Sequence, residues 1–193
     1  MQDRLPMIWD NNEDIRVVHC DNRSRVLQRA LNECREERRP YVFLTPTMRE
    51  ITALKRILVP VTMLEEETYK AEICTYLARK TGARILLLPA HDYGSHARNN
   101  TNRIVSHIEA VRERTGEEIE YEMLEARRDS FHLYEEVVSR QRDFAHQLLV
   151  LTASREYGLD DLLFGPPERK AIARSQVPVM LINPREDLFS LCD

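Results

Sequence analysis

Apolar residues along this chain alternate between short continuous runs and stripes at helical spacing. Ile57 to Val61 (ILVPV) is a run of the first kind, the mark of a strand buried on both faces. Tyr69, Ile73, Tyr76 and Leu77 then form a helical stripe within Glu66 to Lys80, and Gly82 is a natural stop. Ile85 to Leu88 repeats the buried strand. A polar stretch, HDYGSHARNNTNR, contains a loop before the next stripe, Ile104, Ile108 and Val111, which Gly116 closes. Ile119 to Met123 (IEYEM) alternates apolar and polar positions, as a strand with one more exposed face does. Phe131, Tyr134, Val138 and Ala145 predict a third helix, with Asp129 or Ser130 as its N-cap. Leu148 to Leu151 is a fourth strand. Pro166 and Pro167 suit the first turn of a fourth helix, and Pro178 to Ile182 is a fifth strand. Five strands alternating with four helices predict an α/β fold with a doubly wound parallel sheet.

Ahead of this pattern, Ile15 to Cys20, Ser24 to Arg39 and Tyr41 to Leu44 read as strand, helix and strand. The division expected is therefore a βαβ extension over 1–54, a main domain over 55–184 and a tail over 185–193. The extension has the same element order as Ile119 to Glu156, and its FLTPTMRE lies against VLTASRE. A partial duplication and a chance likeness both account for that. In either case a lone βαβ unit has to join a sheet to bury its faces.

Composition narrows the classes. The chain has 193 residues, 42% hydrophobic and 31% charged, enough for a core beneath a charged surface. A net charge of −4 supplies no basic field for nucleic acid. Arginines alternate with acids, as in VRERTGEE, which is the pattern of a solvated helix face. No apolar run reaches the roughly 18 to 20 residues of a membrane span, and MQDRLPMIWDNNED lacks a signal-peptide pattern. The expectation is a cytoplasmic chain without membrane insertion. Cys20, Cys34, Cys74 and Cys192 have no CxxC spacing and are expected to be reduced, with Cys34 and Cys74 packed on helix faces.

KRILVPVT, LARKTGARILLL and LLFGPPERKAIARSQVPVMLIN, spread over residues 55–184, resemble landmarks of the universal stress protein family. The resemblance implies a five-stranded parallel sheet in the order 3-2-1-4-5, of the adenine nucleotide alpha hydrolase-like kind, and roles in stress response or signalling. It also implies ATP binding through G-x2-G-x9-G-(S/T) after the fourth strand, where glycines let backbone N–H groups reach phosphates at a helix N-terminus. Here the spacing is kept and the chemistry is not. Thr152 and Arg155 stand at the first two glycines; Gly165 keeps the third, and Pro166 replaces the hydroxyl residue. After Val61, Thr62 stands where nucleotide-binding members carry Asp. The family site thus maps to Val61, Thr62, Thr152, Arg155, Gly165 and Pro166, and its substitutions argue against ATP. No cofactor is expected. Family members commonly dimerise along the fifth strand, so a homodimer is expected through Pro178 to Ile182 or through the N-terminal extension.

Other polar groups have ordinary readings beside sharper ones. Arg155 is a phosphate ligand or an exposed partner of Glu156 or Asp160. Asp160 and Asp161 diverge as neighbours in a turn; Glu65, Glu66 and Glu67 complement a helix dipole. His91, Asp92 and His96 are the most metal-like set, on a loop at the carboxyl edge of the sheet. Ser130 and His132 stand at a helix start, where capping explains the serine. No catalytic motif is present. Three functions are expected in turn: a non-catalytic association or signalling module; a sensor of another nucleotide, anion or metabolite; and, last, a hydrolase. A regulatory role beside an ion transporter is a further alternative.

Overall fold

The computed structural model describes residues 7–184 apart from 11, 22–24, 38 and 155–165. Its strands are β1 (Arg16–His19), β2 (Tyr41–Leu44), β3 (Arg56–Val61), β4 (Arg84–Pro89), β5 (Tyr121–Met123), β6 (Leu148–Thr152) and β7 (Val179–Ile182). Its helices are α1 (Arg25–Cys34), α2 (Lys70–Thr81), α3 (His96–Thr115), α4 (Leu133–Ser139), α5 (Gln141–Phe144) and α6 (Pro167–Arg174), with a 3-10 turn over Glu65–Tyr69.

All seven strands form one sheet in the order β1-β2-β7-β6-β3-β4-β5. The portion from β3 onward has the 3-2-1-4-5 order that the resemblance implies, with every pair parallel. The expected five strands become seven because the extension joins the same sheet. β1 pairs parallel with β2, and β2 lies antiparallel against β7, Val42 opposite Met180. The edge that Pro178 to Ile182 would offer to a second copy is therefore taken by the chain itself. The units β1–α1–β2 and β6–α6–β7 run in opposite directions on the two sides of the β2–β7 pair.

Two apolar layers hold the sheet. Ile73, Leu77, Ile104 and Ile108 pack on one face; Leu31, Val137 and Ile172 pack on the other. The extension belongs to both layers: Trp9 lies in the first, and Leu27 and Phe43 in the second, each 1% exposed or less. Asn183, fully buried after β7, donates its amide to the carbonyls of Cys34 (3.1 Å) and Glu37 (2.8 Å) at the end of α1. Cys34 and Cys74 are fully buried, as their helix positions predict.

Gly82 and Gly116 end α2 and α3 as expected, both at φ 69°, where a side chain would strain the backbone. The third helix differs from its prediction. It breaks at Arg140 (φ −106°, ψ 20°), and Ala145 adopts φ 48° instead of continuing the stripe. Among the described residues Ala145 alone combines a side chain with a positive φ. The apolar stripe continues through the break, but Phe144 and Arg140 pack face to cation (4.7 Å) where the helix turns. β5 is also shorter than the alternating run, covering Tyr121 to Met123.

Candidate functional site

The carboxyl ends of β3 and β6 meet at the middle of the sheet, and Thr62 and Thr152 stand there. Both are buried, at 6% and 7% exposure. The loop leaving β3 is held from three sides. Asn100 of α3 donates to the carbonyls of Thr62 (3.1 Å) and Leu64 (2.8 Å), and the Met63 N–H donates to Ser130 Oγ (2.8 Å). Ser130 in turn donates its hydroxyl to Asp92 Oδ2 (2.6 Å) and its N–H to Oδ1 (2.8 Å). Below this loop lies a buried ion pair. Lys70 donates to the Pro60 carbonyl at 2.6 Å and to Glu67 Oε2, and neither charged side chain exceeds 1% exposure. Pro60 brings no N–H to the sheet, and its carbonyl supplies the ammonium with a second acceptor.

Between these loops and α4 lies a cavity of about 390 Å³. Thr62, Thr152 and Ala153 lie along it beside Tyr134; Leu64 and Phe131 reach it from the surface, 55% and 78% exposed. The Thr152 hydroxyl is buried without a hydrogen-bond partner among the described residues. Burial, followed by the negative charges of Glu67 and Glu168, pushes the Tyr134 hydroxyl well above its ordinary value, so it stays protonated.

Ser154 and Pro167 line the cavity, and the decisive residue stands beside them. Glu168, in the first turn of α6, is fully buried. Its Oε2 accepts from Ser154 Oγ (2.8 Å), and Oε1 accepts from the Ser154 N–H (3.1 Å) and from Arg35 of the extension (3.2 Å). A carboxylate of the protein thus receives a backbone N–H, a hydroxyl and a guanidinium, the donors that an anion at this helix start would need. Pro166 is the N-cap and Pro167 follows it, so two positions of the helix start have no N–H to give.

Of the sequence-derived set, Thr62 and Thr152 come together at the cavity. Pro166 stands next to its rim, and Val61 is fully buried in the core. Arg155 and Gly165 lie outside the described residues, as do Glu156, Asp160 and Asp161. The set omits Glu168, Ser154 and Arg35, because an acid in a helix's first turn looks ordinary in sequence. In the sequence Glu67 reads as an acid that complements a helix dipole, whereas the structure pairs it with Lys70 in the core. The one sequence clue to that pair is Lys70 itself, a lysine in an arginine-rich chain.

The metal-like set separates. His91 and His96 are exposed, and Asp92 spends both oxygens on Ser130. No group of three ligating side chains among the described residues could hold a metal. Neither Ser130 nor Asp129 is the N-cap of α4: that position is His132, with no side-chain cap, and Asp129 accepts from the His132 N–H (3.1 Å) and pairs with its ring at 2.7 Å. This contact, with the further hydrogen bonds that Asp129 accepts, lowers the Asp129 carboxyl below its ordinary value. Burial raises the thiols of Cys20 to about 11 and Cys74 to about 12, which leaves them unreactive near neutrality. Among the described residues no helix is long and apolar enough to cross a membrane.

A universal stress protein from Archaeoglobus fulgidus DSM 4304 superposes with a TM-score of 0.63 at 14% identity, over 90% of this chain and 62% of that one. The fold is that of a universal stress protein. A universal stress protein solved in complex with cAMP matches at TM-score 0.51 and 13% identity, over 69% of this chain and 99% of its own. A functionally unknown protein from Pseudomonas aeruginosa PAO1 matches at 0.52 and 13%, over 91% of this chain and 64% of its own. The chain thus spans less than two thirds of the Archaeoglobus and Pseudomonas structures. No protein-family model and no curated protein matches the sequence.

Proposed function

We propose that the chain is a non-catalytic, universal-stress-protein-like module of stress response or signalling that does not hold ATP in the family manner. The observation that carries this reading is the buried Glu168 carboxylate at the start of α6. A phosphate arriving there meets a fixed negative charge that already holds the local donors. Two prolines at the helix start weaken the seat further. Titration calorimetry of the full chain with ATP tests this, with no micromolar binding expected. Micromolar binding, or nucleotide retained through purification and seen by mass spectrometry, overturns it. The cAMP of one structural neighbour also carries a phosphate and belongs in the same titration.

A second reading, a sensor of another small ligand in the altered pocket, is favoured by the unpartnered Thr152 hydroxyl beside a cavity of about 390 Å³. The cavity suits an uncharged molecule that gives this hydroxyl a partner. A module without its own chemistry acts through partners in the cytoplasm, including a second copy or an ion transporter. With β7 paired on both sides, a homodimer forms through the extension, whose β1 is an edge of the sheet.

A further inference from the structure

A second concavity of about 650 Å³ opens at the opposite end of the sheet. Lys55, Gln147 and Val177, just ahead of β3, β6 and β7, line it, and the linker leading from the extension forms one wall. Arg49, Lys55 and Arg142 bring three cations to it against the single carboxylate of Glu50, in a chain whose net charge is −4. Arg49 is engaged with Gln176 Oε1 at 2.6 Å. Lys55 and Arg142, both exposed, form no side-chain hydrogen bond or ion pair among the described residues.

His146 belongs to the same wall and is 4% exposed. Neither of its ring nitrogens has a hydrogen-bond partner among the described residues. A neutral imidazole carries one donor and one acceptor, and burying both unmet costs free energy that a core side chain would not. The residue before it, Ala145, takes the left-handed conformation as the backbone leaves α5 for β6. Two unfavourable features in consecutive residues, next to two unpartnered cations, mark a place organised for something other than packing.

We propose that this groove binds a small oxyanion, phosphoryl or carboxylate, between Arg142 and Lys55, with His146 gaining the acceptor that its ring N–H lacks. A guanidinium and an ammonium supply charge-assisted donors. The groove's size fits a small metabolite. This site is independent of the cavity at Thr62 and Thr152, which lies at the carboxyl end of the strands.

Inorganic phosphate and citrate, each titrated into the full chain at constant ionic strength, test the proposal through the His146 ring resonances and calorimetry. A saturable His146 shift, absent with chloride, is expected. Arg142→Gln and Lys55→Gln should each weaken binding by about tenfold with unchanged circular dichroism. Whichever anion binds more tightly names the class. A response equal to that of chloride, no response to either anion, or full affinity in the R142Q/K55Q double variant overturns the proposal.

Discussion

Arg35 and Glu168, 133 residues apart in sequence, meet at 3.2 Å with side chains only 13% and 1% exposed. The contact ties the N-terminal extension to the helix that borders the central cavity. Glu168→Ala strands the Ser154 N–H and hydroxyl together with the Arg35 cation, so a loss of about 3 kcal/mol or more is expected in urea unfolding. Arg35→Ala should cost a similar amount, and the double variant less than the two combined. Additive losses would refute the coupling.

Lys70 and Glu67 make a second buried pair, with no part on the surface. Lys70→Met leaves a buried carboxylate without its cation and an unmet Pro60 carbonyl, and should destabilise by about 3 to 5 kcal/mol. Adding Glu67→Leu removes the stranded charge, so the double variant should regain most of that loss. A double variant as unstable as K70M would show that the pair is not the source.

His146 gives the fold an acid-side weakness. Burial drives its imidazole from the ordinary 6.5 down to about 4. Between those values the unfolded chain binds a proton that the folded chain refuses. Stability therefore rises with pH across this window and falls on acidification, by as much as about 3 kcal/mol. Carboxylates titrate near the lower end as well, so the measurement is the difference between the native chain and His146→Phe. That variant should lose the slope between pH 6.5 and about 4.

Ala145 holds a left-handed backbone that costs an alanine about 1 kcal/mol. Ala145→Gly should therefore raise the urea midpoint, by a gain below or near that amount, because glycine's greater unfolded-state freedom offsets part of it. A lower midpoint would mean that the methyl group contributes packing that outweighs the strain.

The repeating elements from β3 to β7 are legible in the sequence because their signals are local. Ile57 to Val61 reads as a doubly buried strand, and Gly82 and Gly116 punctuate helices, from a few neighbouring letters. Thr62 and Thr152 can be placed because the end of a buried parallel strand fixes the position of the next residue. Glu168 and Arg35 are not legible, since each looks like an ordinary surface charge until the chain closes over it. Glu67 and Lys70 share an i,i+3 spacing with many solvated pairs, and only their burial makes them different. The break at Arg140 leaves no mark in the letters because the apolar stripe runs on through it.

The antiparallel seam between β2 and β7 also bears on the order in which the molecule assembles. Tyr41 to Phe43 pair on one flank with the nearby β1, but on the other with Val179 to Leu181, near the other end of the described chain. During synthesis β2 emerges before β7, so one of its flanks stays unpaired until β7 follows. The seam thus closes only once β7 is made, and until then β2 offers an open strand to a wrong neighbour.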